Sequence, residues 1–305
     1  MRPTRLAEMF APFPETAKIA IPSALARGLL EAAESLPLYK NEEFYSPALQ
    51  EAVHHSIREA CPDAFDSVVG SIGERVARWP YCVLAQGLEF DEGNRLFVAI
   101  NRAFGQLVGL PFKKPRAQLV QYIQPSTDIP KAHGEGREVE NLHTDAVDQA
   151  TSISFVSMIC VRPDQAGDGR SRTLDVDTVR DEVKTHLGPE TLELLETEPV
   201  PWQIHEGCGG GIKWQRVLTE SGMCWRRYTI NRALNENGAK LSAQMLTALD
   251  GFGGVVAGCN RTIDFLMREG ELLFSDNART IHARTRIANE TVTRRLMIRS
   301  WITTS

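Results

Sequence analysis

The chain has 305 residues, 42% apolar and 24% charged, the proportions of an ordinary globular protein, which exclude disorder as its main state. A formal net charge of -5 and a pI near 5.9 leave no basic footprint for nucleic acid. No apolar run reaches the ~20 residues that cross a bilayer. The N-terminal MRPTRLAEMFAPFPETAK has no apolar signal core, so the expected location is the cytoplasm, without a membrane partner. Six cysteines scattered singly, with no CxxC pair, read as reduced thiols rather than as a disulfide framework.

The first hundred residues read as helical. Pro22-Ser23 precede ALARGLLEAAESL, where Ser23 can cap an apolar face built on Leu25, Leu29 and Leu36. SPALQEAVHHSIREA and DAFDSVVGSIGERVA repeat the pattern. YCVLAQGLEF reads as a strand and EGNRLFVAINRAFGQLVG as an amphipathic helix. Beyond Pro115 the texture changes. RAQLVQYIQP, SISFVSMICVRP, MCWRRYTI, TIDFLMRE and LMIRSWITT are short runs of β-branched and aromatic residues, with ESG and EGE placed for tight turns. Helices are expected near Pro189–Glu196 and Lys240–Leu249. The expectation is one α+β domain over 1–305, with mainly helical wrapping over 1–115 and a β-sandwich or jelly-roll core over 116–305. The polar, Gly/Pro-bearing stretch Pro125–Glu140 reads as a mobile loop leading into ENLHTDAVDQ.

In that last segment His143 and Asp145 are two residues apart, and on a strand such residues share a face and can grip one metal ion. The motif alone is weak. His282, after a predicted strand and 139 residues beyond His143, supplies a third ligand. Two imidazoles and a carboxylate make the facial triad of non-heme Fe(II) oxygenases, and a catalytic Zn²⁺ accepts the same set. Arg294 and Arg295 follow His282 by 12 and 13 residues, and Arg299 lies four beyond Arg295, on the same strand face. A guanidinium clamps a carboxylate through two hydrogen bonds, a device that a water-activating zinc site does not need.

HTD, then GDGRSRT (Gly167–Thr173), DNARTIHAR and RRLMIRSW occur in the order found in the taurine dioxygenase (TauD/TfdA) and clavaminate synthase-like Fe(II)/2-oxoglutarate oxygenases, which the chain resembles from about Ala117 onward. The resemblance implies a double-stranded β-helix, a distorted jelly roll. It implies iron held by His143, Asp145 and His282, with the far carboxylate of 2-oxoglutarate bound by Thr173 and Arg295. Arg299 falls where relatives place an arginine that contacts a substrate anion or the keto-acid end of 2-oxoglutarate. Clavaminate synthase-like relatives often carry Glu at the second ligand position; Asp145 is the taurine dioxygenase-type choice.

The implied activity consumes 2-oxoglutarate and O₂, releases succinate and CO₂, and hydroxylates, desaturates or cyclises an unactivated C–H position. The expected substrate is a small amino-acid- or peptide-derived metabolite, with a scavenged sulfonate or sulfate as the alternative. A zinc hydrolase using the same triad, and a silent sandwich binding a small molecule, are rivals from other classes. The remaining candidates read blandly: His133 as a solvated loop residue, His54 and His55 as exposed, and EGCGGGI after His205 as a flexible turn. Trp202, Trp214 and Trp225 read as core or rim packing, and Arg226-Arg227 as a salt-bridged strand face.

Overall fold

The computed structural model describes residues 10–109, 119–125, 140–149, 152–287 and 295–304. Strand β1 (Lys18–Ala20) leads into helices α1 (Ser23–Glu34), α2 (Pro47–Ala60) and α3 (Pro62–Val76). Prolines open α2 and α3, where a missing N–H costs nothing, and Ser46 Oγ accepts from Leu49 N at the start of α2. Strand β2 (Cys82–Gln86), helix α4 (Arg95–Arg102) and strand β3 (Gln106–Val108) follow. Next come β4 (Gln121–Ile123), β5 (Glu140–His143), β6 (Phe155–Arg162) and β7 (Ser171–Asp175), then α5 (Val176–Leu187) and α6 (Pro189–Thr197). Short strands β8 (Val200–Gln203), β9 (Ile212–Gln215), β10 (Leu218–Thr219) and β11 (Gly222–Met223) precede α7 (Arg227–Glu236) and α8 (Ala243–Gly258). The chain closes with β12 (Ile263–Phe265), β13 (Leu272–Asp276), β14 (Thr280–Arg284) and β15 (Leu296–Thr303).

A large sheet runs β1-β2-β13-β6-β15-β3, with β4 also paired to β15, and a smaller one runs β12-β7-β14-β5. Three strands from the segment 1–115, β1, β2 and β3, therefore join the large sheet. Alternation along the strands sorts the core. Val83, Ala85, Phe274, Ile298 and Ile302 face the N-terminal helices, whereas Leu84, Cys160, Leu273 and Met297 pack with Ile263 and Phe265 of the small sheet. On the small sheet, Leu174 and Ile281 pack with α5 and α8 around the fully buried Trp202. The intervening positions, Thr173 and His282, belong to the opposite face of that sheet. No helix among the described residues is long and apolar enough to cross a membrane.

Several elements depart from the sequence expectation. MCWRRYTI has strand-like composition, yet only Met223 ends a two-residue strand and Arg227 begins α7; Trp225 instead packs 4.6 Å from the Phe252 ring. Arg227 pairs with Asp250 at 2.5 Å from a helix start, not from a strand face. The helix expected to run to Gly109 stops at Arg102, because Gly105 passes so close to β15 that a Cβ there would lie 2.4 Å from Thr303 O. Helix α5 is an addition, announced only by Asp175, whose carboxylate accepts from Thr178 N. Pro22, not Ser23, occupies the cap position of α1. His54 is half-buried against Phe65 with Nδ1 3.1 Å from Ala99 O, so it is not an exposed surface residue. Trp202 and Trp225 are core residues, while Trp214 is 52% exposed. All six cysteines are free thiols.

Candidate metal centre

Two neighbouring antiparallel strands bring the histidines together. His143 ends β5 and His282 sits in the middle of β14, not beyond a strand, and the two are direct cross-strand partners. Their ring centroids are 4.7 Å apart. Asp145 does not share a strand face with His143, since β5 ends at His143 and Asp145 lies in the turn that follows. The turn is held by Asn277, whose Oδ1 accepts from Asp145 N at 3.1 Å and whose Nδ2 donates to Asp145 O and Ile153 O, each at 3.2 Å. The turn returns the carboxylate to the histidines, with Oδ1 3.5 Å from His143 Nε2 and Oδ2 3.6 Å from His282 Nε2. One ligand atom from each residue lies within 4.8 Å of the others.

The donor set suits a divalent cation. His143 Nδ1 lies 2.8 Å from Asn141 O, which fixes the proton on Nδ1 and leaves the Nε2 lone pair directed into the cluster. Burial alone would raise the Asp145 carboxyl, but the Arg299 guanidinium, with His282 and His143 beside it, holds it well below the usual carboxylate range. The cluster presents two imidazole nitrogens and one carboxylate, the ligand types that a 2-His-1-carboxylate metal takes. Removing the turn's brace tests this construction. Asn277→Ala leaves buried backbone groups unsatisfied, so a loss of about 1–3 kcal/mol in urea unfolding is expected, together with weaker Co(II) binding.

Arg299, on β15, reaches the cluster from the large sheet. Its Nη1 donates to Asp145 Oδ2 at 3.1 Å and its Nη2 to Gln121 Oε1 at 2.9 Å. Two residues on, Trp301 Nε1 donates to the same Asp145 Oδ2 at 2.8 Å. Thr173 is buried on β7, opposite His282 in register. Its Oγ1 lies 3.9 Å from the Cys82 thiol, which burial pushes up to about 12. Arg295 is buried immediately before β15, its stem against Gly169, and its charge reaches the Cys160 thiol, which burial pushes up to about 11. His143, Asp145, His282 and Arg299 are thus gathered at one point, with Thr173 beside them and Arg295 farther along the interior. Arg294, His133 and nearly all of the 125–140 loop lie outside the described residues.

Gln121, Asn277 and Trp301 are additions to the residues singled out from sequence. Trp301 was accessible to the period-two rule, being two positions past Arg299. Gln121 and Asn277 gave no signal beyond a polar residue in a strand and an Asp-Asn turn. Asp145 and Thr144 also line a cleft of about 610 Å³ whose other walls include Ile153, Lys213, Trp214 and Met223.

The sequence matches the family described as "Taurine catabolism dioxygenase TauD, TfdA family" over residues 86–301, more than two thirds of the chain. The chain belongs to the TauD/TfdA family. Among curated proteins, none matches its sequence. Similar solved structures of the fold include an asparagine oxygenase in complex with Fe(II), 2S,3S-3-hydroxyasparagine and succinate, at 16% identity and a TM-score of 0.76, covering 94% of this chain and 93% of that one. The non-heme iron oxygenase OrfP in complex with Fe and alpha-ketoglutaric acid matches at 16% identity and TM-score 0.74, covering 94% of each chain. OrfP with Fe, succinate and (3S)-hydroxy-L-Arg matches at 15% identity and TM-score 0.73, again covering 94% of each. This TauD/TfdA chain therefore shares its fold across nearly its whole length with the asparagine oxygenase and with OrfP.

Proposed function

We propose that the protein is an Fe(II)/2-oxoglutarate-dependent dioxygenase that hydroxylates a small amino-acid- or peptide-derived metabolite. The observation that carries this reading is the convergence of His143, Asp145 and His282 within 4.8 Å, in the part of the chain that the family match covers. Fe(II) with 2-oxoglutarate and O₂ supplies the oxidising chemistry, with succinate and CO₂ released. His143, Asp145 and His282 would hold the metal through one ligand atom each, leaving coordination positions for co-substrate and O₂. Thr173 and Arg295 take the far carboxylate of 2-oxoglutarate. Arg299 faces the substrate anion together with Gln121, whose amide Nε2 is buried without a partner among the described residues, as is Arg299 Nε. Buried donors of this kind favour a ligand acceptor near them.

The cleft of about 610 Å³ against Asp145 has the size of a small-molecule site and admits more than a single amino acid. Lys213 lines it with an ammonium whose hydrogen bond goes to Gln149 O, and burial lowers its pKa. The β2-β13-β6-β15 and β12-β7-β14-β5 layers form the double-stranded β-helix of one oxygenase domain spanning 1–305. Free cysteines fit a reducing cytoplasm. The family's sulfonate-catabolic description favours a sulfonate as the second substrate reading.

Anaerobic addition of Fe(II) and 2-oxoglutarate tests the assignment before any substrate is known. A weak visible charge-transfer band of the chelate is expected. A zinc hydrolase or a silent binding sandwich would give none. Succinate release stimulated by free amino acids, short peptides or taurine then separates the substrate classes, and stimulation by taurine alone would overturn the amino-acid reading.

A further inference from the structure

A buried carboxylate offers about four lone-pair positions, two on each oxygen. At Asp145 they are used unequally. Trp301 Nε1 at 2.8 Å and Arg299 Nη1 at 3.1 Å both donate to Oδ2. Oδ1 faces His143 Nε2 at 3.5 Å, and neither of those donors goes to it. Position 301 follows 299 by two along β15, so both side chains leave the strand on the same face and arrive at the same oxygen. The Arg299 guanidinium also sits 5.1 Å over the Trp301 ring, so the two donors are packed on each other. Ligation through Oδ2 would require one of these bonds to break, whereas Oδ1 is free to ligate with both in place.

We propose that Trp301 is a positioning residue of the metal centre: with Arg299 it occupies Asp145 Oδ2 and confines the carboxylate to one-oxygen ligation through Oδ1. This rests on the metal reading given above. One-oxygen ligation matters because a chelating carboxylate would take a second coordination position, one of the three that 2-oxoglutarate and O₂ need. Arg299 thereby has a second task beside substrate, and its Nε and the Gln121 amide nitrogen have no partner among the described residues.

The test uses Co(II) without 2-oxoglutarate, so it does not depend on turnover. Trp301→Phe removes the indole N–H and keeps an aromatic ring. Its Kd for Co(II) should rise about 10–100-fold, the usual effect of losing a group that orients a metal ligand. Its visible Co(II) spectrum should also change, as Asp145 swings to chelate. Val156→Ala loosens the small cluster of Ala146, Ile153, Val156 and Trp301 without touching the hydrogen bond, and should leave both readouts alone. Unchanged Co(II) affinity and spectrum in Trp301→Phe, or an equal loss in Val156→Ala, would overturn the proposal in favour of plain packing. A second measurement needs no substitution and so survives a variant that fails to fold. Of the five indole N–H resonances, one should move when diamagnetic Zn(II) is added, and no movement would overturn the proposal. If the unaltered protein bound neither ion, the metal reading itself would fail, and this inference with it.

Discussion

Replacing His282 with Ala should abolish succinate formation and reduce Fe(II) binding to the level of adventitious sites. His282 contributes one of the two nitrogens, and its strand partner His143 cannot move to compensate, because Nδ1 is tied to Asn141 O at 2.8 Å. The remaining His143 and Asp145 would make a two-ligand site, too few to hold a metal against water. His143→Ala should behave in the same way. Asp145→Ala should do more, because Arg299 and Trp301 both lose the oxygen they share, and Arg299 is left as a mostly buried charge. Breaking such a pair by removing one partner costs about 3–5 kcal/mol. The histidine variants should therefore unfold at nearly the urea concentration of the unaltered protein, and Asp145→Ala well below it. Metal content by atomic absorption, succinate yield and the urea midpoint together check the pattern. Full turnover in His282→Ala would sink the triad.

The sequence showed the chemistry more clearly than the architecture around it. The proposed metal ligands His143, Asp145 and His282 are legible because a metal site calls for particular side chains, and HTD and DNARTIHAR carry them whatever the backbone does. The placement was less legible. Asp145 left its strand because Asn277, 132 residues away, holds the turn, and no local pattern encodes a partner that distant. MCWRRYTI became a helix start because Trp225 is drawn against Phe252, a tertiary contact that outweighs β-propensity. The glycine run after His205 forms the turn its composition called for. Gly209, Gly210 and Gly211 all take positive φ (102°, 66° and 87°), which only glycine adopts freely, and His205 Nδ1 accepts from Gly207 N to close the turn. Gln121 and Trp301 stayed hidden because an amide or an indole in a strand is ordinary until the structure shows what it faces.

Arg295→Ala should raise the concentration of 2-oxoglutarate needed for half-maximal succinate formation by about 30-fold to several thousand-fold. Removing one partner of a desolvated charge pair costs about 2–5 kcal/mol, and Arg295 is buried. Arg294→Ala should matter far less, since adjacent positions entering a strand face opposite ways; a larger effect there would move the role to Arg294. Two glycines then separate the clamp from general damage. Gly169 has φ +64, and a Cβ on it would meet Arg295 Cδ at 3.1 Å, Arg295 Nε at 3.2 Å and Ile287 Cγ1 at 3.0 Å. Gly167 has a similar φ of +77, but nothing lies within 4 Å of its would-be Cβ. Both Gly→Ala changes carry the left-handed strain of about 1–2 kcal/mol, and only Gly169→Ala also pushes on the guanidinium stem. The 2-oxoglutarate KM should rise in Gly169→Ala and stay level in Gly167→Ala, while both lose stability in urea, Gly169→Ala by at least as much. Equal KM values in the two variants would mean that the Arg295 stem has room to yield, and that its contact with Gly169 does not set the geometry of the carboxylate clamp.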